Sequence, residues 1–286
     1  MKGILLAAGK GTRLRPSTSA ISKHLLNVYD KPLIYYSLSS LMLAGIRKIA
    51  LISTSRDLPL YKSIFGNGER LGIEITYIVQ DDALGIPDAY IKASEFLSGS
   101  SSVLALGDNI FHGTGFSHTL KELSDLKTGA AILLKKVPDP NRFGIAELDA
   151  GGYPVRLVEK PANANSDFAI TGLYALDGRS SDLARGLAPS NRGELEMVDL
   201  LDVYLKDKTL TSSQVPRGTM WLDTGTVESM LDAAVFIRAF QDHTGNLIGS
   251  PEEAAYRNGW IDSAELEKAA RQHVNRYGEY LRGILA

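Results

Sequence analysis

Three features of the chain predict an α/β fold with a mainly parallel sheet flanked by helices. Short apolar runs alternate with longer segments of helical periodicity, the pattern of successive βαβ units. The first run, Gly3 to Ala8, passes directly into Gly9-Lys10-Gly11, a strand-to-loop junction at the N-terminus. The chain has 286 residues, 44% hydrophobic and 22% charged, enough to bury the core such a sheet needs.

Taken in order, Gly3 to Ala8 is short and bounded by glycine, as a buried strand is. Asp30-Lys31-Pro32 leads into Leu33 to Ala44, where Ile34, Leu38, Leu41 and Met42 recur at helical spacing before Gly45. Proline near the start and glycine past the end punctuate a helix. Ile49 to Ile52 predicts the next strand. Ile73, Ile75, Tyr77 and Val79 then alternate up to Gln80, predicting a strand, a loop over Asp81 to Pro87 and a helix over Asp88 to Leu97. Val103 to Leu106 and Phe116 to Leu126 give one more strand and helix. Beyond them the pattern changes: Phe143 to Leu148, a turn at Asp149-Ala150-Gly151-Gly152, and Val155 to Glu159 predict a hairpin, and Phe168 to Leu176 a further strand. Met197 to Leu205 is amphipathic, and Thr226 to Phe240 carries Met230, Ala233, Ala234 and Ile237 on one helical face. Three short helices, Glu252 to Asn258, Ser263 to Val274 and Tyr277 to Leu285, form the tail. No repeat or linker divides the chain. One compact unit is expected: an α/β domain over 1–240, with added strand pairs in a subregion of about 140–225, and a C-terminal helical extension over 241–286 packed on it.

Composition excludes several functions. A formal net charge of −2 offers no basic field for nucleic acid, so a polyanion must be held by local groups. With no cysteine, disulfides and thiolate zinc sites are excluded. No stretch has the form of a secretory signal or the length of a membrane span, and a cytoplasmic location is expected.

In parallel α/β sheets, ligands sit beyond the carboxyl ends of the strands. Here the ends of the first, third and fourth strands carry Gly9-Lys10-Gly11, Gln80 and Leu106-Gly107-Asp108-Asn109. The glycine pair fits neither the dinucleotide fingerprint, which needs glycine where Leu14 stands, nor the P-loop, which needs Ser or Thr where Gly11 stands. A tight turn and a phosphate loop both remain open, with Arg13 and Lys23 favouring phosphate. Asp108 is either a turn cap or a ligand for a hard cation. Asp223, three residues before Thr226, is either a helix cap or a second ligand. Locally, Glu159-Lys160 is a solvated strand edge, and the carboxylates of Arg192-Gly193-Glu194-Leu195-Glu196 are helix N-terminal charges.

LAAGKGTRL, followed by SKHLLNVYDKPLIYY at Ser22 to Tyr36, resembles the sugar nucleotidyltransferases, specifically the short glucose-1-phosphate thymidylyltransferases, and the similarity runs through essentially the whole chain. The resemblance implies a Rossmann-like sheet whose added strand pairs lie on the sugar side. It implies Mg2+ on Asp108 and Asp223, and nucleotide contacts from Ala8, Gly9, Gly11, Thr12, Arg13, Gln80, Gly85 and Asp108. Gly144, Glu159, Lys160, Thr171, Gly172, Tyr174 and Arg192 match positions on the sugar-phosphate side. Arg13, Lys23 and Lys160 would be the catalytic cations. The implied reaction joins dTTP and glucose 1-phosphate to give dTDP-glucose and pyrophosphate, for deoxysugar synthesis of the rhamnose type. Related alternatives are an enzyme preferring UTP or another hexose 1-phosphate, and a non-catalytic nucleotide-sugar sensor.

Departures from the family pattern include Ala8 for a frequent glycine, His24 for a frequent glutamine and Asn27 for a frequent proline. Leu84-Gly85-Ile86-Pro87-Asp88 also departs, and Pro87 restricts φ beside the base loop. The family's C-terminal helices imply a homotetramer and a regulatory nucleotide site near His112-Gly113 and Ser250-Pro251-Glu252-Glu253. Locally the alternative, helices that only cover the core, stays equally open.

Overall fold

Thirteen strands and eleven α-helices run through the computed structural model, which describes residues 1–286. The first part runs β1 (Lys2–Leu6), the paired β2 (Asn27–Val28) and β3 (Lys31–Pro32), α1 (Ile34–Leu43), β4 (Lys48–Ser53), α2 (Leu58–Phe65), β5 (Glu74–Val79), α3 (Ile86–Lys92), α4 (Ser94–Leu97) and β6 (Ser102–Leu106). Next come β7 (Asn109–His112), α5 (Phe116–Ser124), β8 (Ala130–Lys136), β9 (Gly144–Leu148), β10 (Pro154–Glu159) and β11 (Phe168–Leu176). The chain ends with α6 (Ser180–Arg185), α7 (Met197–Lys206), β12 (Leu210–Gln214), β13 (Met220–Asp223), α8 (Val227–Thr244), α9 (Pro251–Arg257), α10 (Ser263–Arg271) and α11 (Arg276–Gly283).

β6, β1, β4 and β5 lie side by side and parallel, with Ile4 opposite both Ala50 and Leu104. β11 joins this core antiparallel to β6, and the β9–β10 hairpin extends the sheet beyond it. β8 also pairs with β11 and carries β12 in parallel. The sequence therefore predicted both the parallel core and the added pairs. Successive residues of β1 enter opposite cores, as the two-residue side-chain period requires. Ile4 packs with Ala50, Ile52, Leu104 and α7, whereas Leu5 packs with Leu51, Val103, Leu38 and Leu41.

The tail belongs to that second core. Ala254, Ala255, Leu266, Ala270, Tyr277 and Leu281 all lie in it with Leu38 of α1. Buried Glu252 accepts from Tyr277 Oη at 2.6 Å and pairs with Arg70 at 3.1 Å, so its charge is not left alone.

The helix expected from Asp88 begins two residues earlier, at Ile86. Pro87 occupies its first turn, where a missing N–H removes no helical hydrogen bond. The antiparallel pair β7 and β13 was not foreseen, and it positions the site: Asn109 stands opposite Asp223.

Candidate active site

The carboxyl ends of the parallel strands surround a cavity of about 320 Å³. Ala8, Gly9, Arg13 and Lys23 form one part of its wall. Gly11, at φ 58°, turns the loop into the short helix Thr12–Leu14, and Thr18 Oγ1 donates to the Gly11 carbonyl at 2.7 Å. Gly11 and Thr12 therefore shape the loop without reaching the wall.

The β7–β13 register brings the two aspartates together. Asp223 ends a strand and does not cap α8; that role belongs to Thr226, which exchanges hydrogen bonds with Ser229. Asp108 is ion-paired to Lys23 and accepts from Asn109 Nδ2 at 2.9 Å. Burial alone raises the Asp108 pKa, but the Lys23 charge and the hydrogen bonds from Lys23 and Asn109 outweigh it and hold the group below the usual carboxylate range. Asp223 is raised, first by burial and then by the negative charge of Asp108. Arg142 stands 3.7 Å from Asp223. Two hard oxygen donors that repel each other suit a divalent cation. No set of three or more acidic or imidazole side chains is placed to hold a metal ion together. That donor set fits Mg2+, which is commonly held by one or two carboxylates, with water and substrate phosphate completing its shell.

At the opposite end, Glu159 closes β10 and Lys160 turns out of it at φ 39°. Lys160 Nζ lies 2.9 Å from Glu159, and Arg192 bridges Glu159 at 3.2 Å and Glu196 at 2.6 Å. Gly144 leaves room here: a Cβ would meet Val198 at 2.9 Å and Glu159 Oε2 at 3.3 Å. On β11, Ile170, Gly172 and Tyr174 line the cavity. Thr171, between them in the alternation, is off the wall, and its hydroxyl is buried without a partner.

Gln80 and Gly85 form the remaining wall. Gln80 Nε2 donates to the Gly85 carbonyl at 3.4 Å, while its Oε1 is buried and has no partner. That oxygen is an acceptor left unsatisfied within the protein.

Several wall residues had no place in the sequence prediction: Asn109, Arg142, Phe143, Leu195, Glu196 and Trp221, with His24 noted only as a departure. Asn109 joins three strands, because its Oδ1 accepts from Trp221 Nε1 at 2.6 Å and from the Gly172 N–H at 3.2 Å. Its signal was adjacency to Asp108, and that of Trp221 was its place two residues before Asp223. Arg142 left no local signal. His112 and Ser250 are not on this wall: His112 packs edge-on against Phe240, and Ser250 accepts the Glu253 N–H as the cap of α9.

A sheet of this order, with cations and paired aspartates at its carboxyl edge, defines a nucleotide-transferring class of enzyme. The chain belongs to the nucleotidyl transferase family, whose profile matches residues 2–239. Its full-length relatives include the glucose-1-phosphate thymidylyltransferase of Xanthomonas campestris pv. campestris (strain B100), 46% identical over 99% of this chain and 96% of the relative. That of Mycobacterium tuberculosis (strain CDC 1551 / Oshkosh) is 44% identical over 100% of this chain and 99% of the relative. A Bacillus anthracis chain assigned as a glucose-1-phosphate thymidylyltransferase and solved with sucrose superposes with a TM-score of 0.77 at 37% identity, covering 83% of this chain and 95% of that one.

Proposed function

We propose that the chain transfers a deoxythymidylyl group from dTTP to α-D-glucose 1-phosphate, giving dTDP-glucose and pyrophosphate for deoxysugar synthesis. The observation that carries this reading is a single cavity whose wall runs from Gln80 and Gly85, past Lys23 and Asp108, to Glu159 and Lys160. The full-length relatives support it.

A sugar-phosphate oxygen attacks the α-phosphorus in line. A P–O bond forms, the bond to the β-phosphate bridge breaks, and pyrophosphate leaves with the electron pair. The attacking oxygen is anionic at neutral pH, so no proton acceptor is needed and the barrier is largely electrostatic. Gln80 Oε1 accepts from a pyrimidine N3–H, and Glu159 accepts from sugar hydroxyls. Lys160 and Arg192 hold the sugar phosphate, Lys23 the α-phosphate and Arg13 the leaving pyrophosphate. Asp108 and Asp223 would hold Mg2+, which when bound supplies charge neutralisation at the phosphates. The same reading makes the protein a cytoplasmic homotetramer with α9 to α11 at subunit contacts, which sedimentation of the purified protein tests.

The deciding assay is pyrophosphate release with Mg2+, glucose 1-phosphate and either dTTP or UTP in separate reactions. Faster release with dTTP is expected. A preference for UTP would transfer the assignment to a uridylyltransferase. Silence with both nucleotides across a panel of hexose 1-phosphates, with binding retained, would replace catalysis by nucleotide-sugar sensing.

A further inference from the structure

Behind the glycine loop, three buried side chains form a relay. Tyr61 Oη donates to Ser22 Oγ at 3.0 Å, and Ser22 Oγ lies 3.0 Å from His24 Nδ1. The same Ser22 oxygen accepts the His24 backbone N–H at 3.4 Å. A hydroxyl oxygen has two acceptor sites and one proton. Tyr61 and the backbone N–H occupy both acceptor sites, so the Ser22 proton points at Nδ1 and Nδ1 is the bare nitrogen of the ring. The imidazole proton therefore sits on Nε2. The same count argues against a doubly protonated ring, and Ser22, His24 and Tyr61 are each no more than 3% exposed.

Nε2 has no partner within the protein, and the ring forms part of the cavity wall. It stands between the glycine loop and the aspartate turn. A Cβ on Gly9 would lie 3.9 Å from His24 Cε1, and one on Gly107 would lie 2.7 Å from Cδ2 and 3.2 Å from Nε2. Glycine at 107 is what leaves room for the ring.

We propose that His24 is a neutral hydrogen-bond donor to the phosphates of the bound nucleoside triphosphate, its Nε2–H fixed by the Tyr61–Ser22 relay. The proposal rests on the nucleotidyl-transfer reading of the cavity. A phosphate oxygen only accepts, so the Nε2–H tautomer binds it and the opposite tautomer repels it. The ring adds a donor beside Lys23 without adding a second charge there, and it takes no proton during the reaction.

The test is long-range 1H–15N NMR of the histidine rings in the full-length protein, with the His24 signals assigned by their loss in His24→Gln. The expected spectrum has a bare Nδ1 and a protonated Nε2, and the Nε2 resonance moves when dTTP and Mg2+ are added. In steady-state assays His24→Phe raises KM for dTTP about tenfold, the size of one lost hydrogen bond to a charged group. The KM for glucose 1-phosphate stays near wild type, and His24→Gln, which keeps an N–H donor, restores most of the loss. Ser22→Ala, lacking the hydroxyl that fixes the ring, gives a mixture of tautomers. A proton on Nδ1, or an Nε2 resonance indifferent to dTTP, would overturn the proposal. Wild-type turnover is measured alongside. A responding Nε2 without turnover on glucose 1-phosphate removes the assigned reaction and leaves the donor, whereas turnover with a silent Nε2 removes only the donor.

Discussion

Leu195 donates its N–H to the Leu84 carbonyl at 2.8 Å, fastening the loop before α3 to the segment that enters α7. Gly85, next in the chain, is bridged to Leu195 at φ 99°, and a Cβ there would fall 2.0 Å from the Leu195 carbonyl oxygen. Gly85→Ala must therefore separate the two segments. Strain on the order of 1–3 kcal/mol predicts a fall of roughly ten- to a hundredfold in kcat/KM for the triphosphate. Far-UV circular dichroism is expected to stay unchanged. Wild-type kinetics in this variant would show that the two segments act independently.

In the proposed reaction Lys160 and Arg13 serve different phosphates, so their losses are predicted to appear in different constants. Lys160→Ala raises KM for glucose 1-phosphate, while Arg13→Ala lowers kcat, each by about 100- to 1,000-fold if the full electrostatic contribution is lost. Steady-state kinetics with each substrate varied in turn separates them. Equal effects of either variant on both substrates would contradict the division of roles.

Gly172 has room for no side chain, because a Cβ would lie 2.5 Å from Asn109 Oδ1. Gly172→Ala pushes Asn109 away from Trp221 and withdraws its hydrogen bond from Asp108. A shift in Trp221 fluorescence is expected together with a loss of about 1–3 kcal/mol in stability to urea. Trp221→Phe, measured in parallel, identifies which of the two tryptophans reports the change.

Asp177, at the turn after β11, accepts from the Gly129 N–H at 2.7 Å, the Arg179 N–H at 3.1 Å and Tyr204 Oη at 3.0 Å. Burial raises its pKa, but these hydrogen bonds outweigh that and leave it below the usual carboxylate value. The unfolded chain thus takes up the proton first as pH falls. The stabilisation is complete above the unfolded carboxylate pKa of about 4 and is lost as pH drops from there through the lower folded value. Asp177→Ala should cost about 2–3 kcal/mol at pH 7, with the gap from wild type narrowing in acid. Urea unfolding at pH 7, 4 and 3 reads both effects; a gap that stays constant with pH would contradict the assignment.

The sequence disclosed whatever was carried by local pattern. β1, β4, β5 and β6 are apolar runs with clear ends, and α1 has unbroken periodicity bounded by proline and glycine. The eight-residue α2 and six-residue α6 are too short for periodicity to separate them from loop. β8 was missed despite its apolar run, and its place is set by β11 and β12 on either side. Arg13, Asp108 and Lys160 stand near glycines or strand ends, where the chain itself marks a site, whereas Lys23 reaches the site from a separate turn, Lys23–Leu25. Arg142 carries no such mark, since its meaning depends on Asp223, a partner distant in sequence. Thr171 differs from Gly172 only in strand phase, and an irregularity in the β8–β11 register between Ile170 and Tyr174 falls just there.

Lys23, Lys160 and Arg192 each already face a carboxylate, and the cavity wall holds five cationic and six acidic side chains. Its mouth consequently presents no net positive potential to the surrounding solution. RNA and inorganic polyphosphate arrive without long-range steering, at unguided association rates on the order of 10⁵–10⁶ M⁻¹s⁻¹. In the proposed reaction a phosphate ligand takes its place by displacing Asp108, Glu159 and Glu196 from their cations. Selection therefore falls after entry, by fit, and the wall's own acids keep the wrong polyanions from crowding the door.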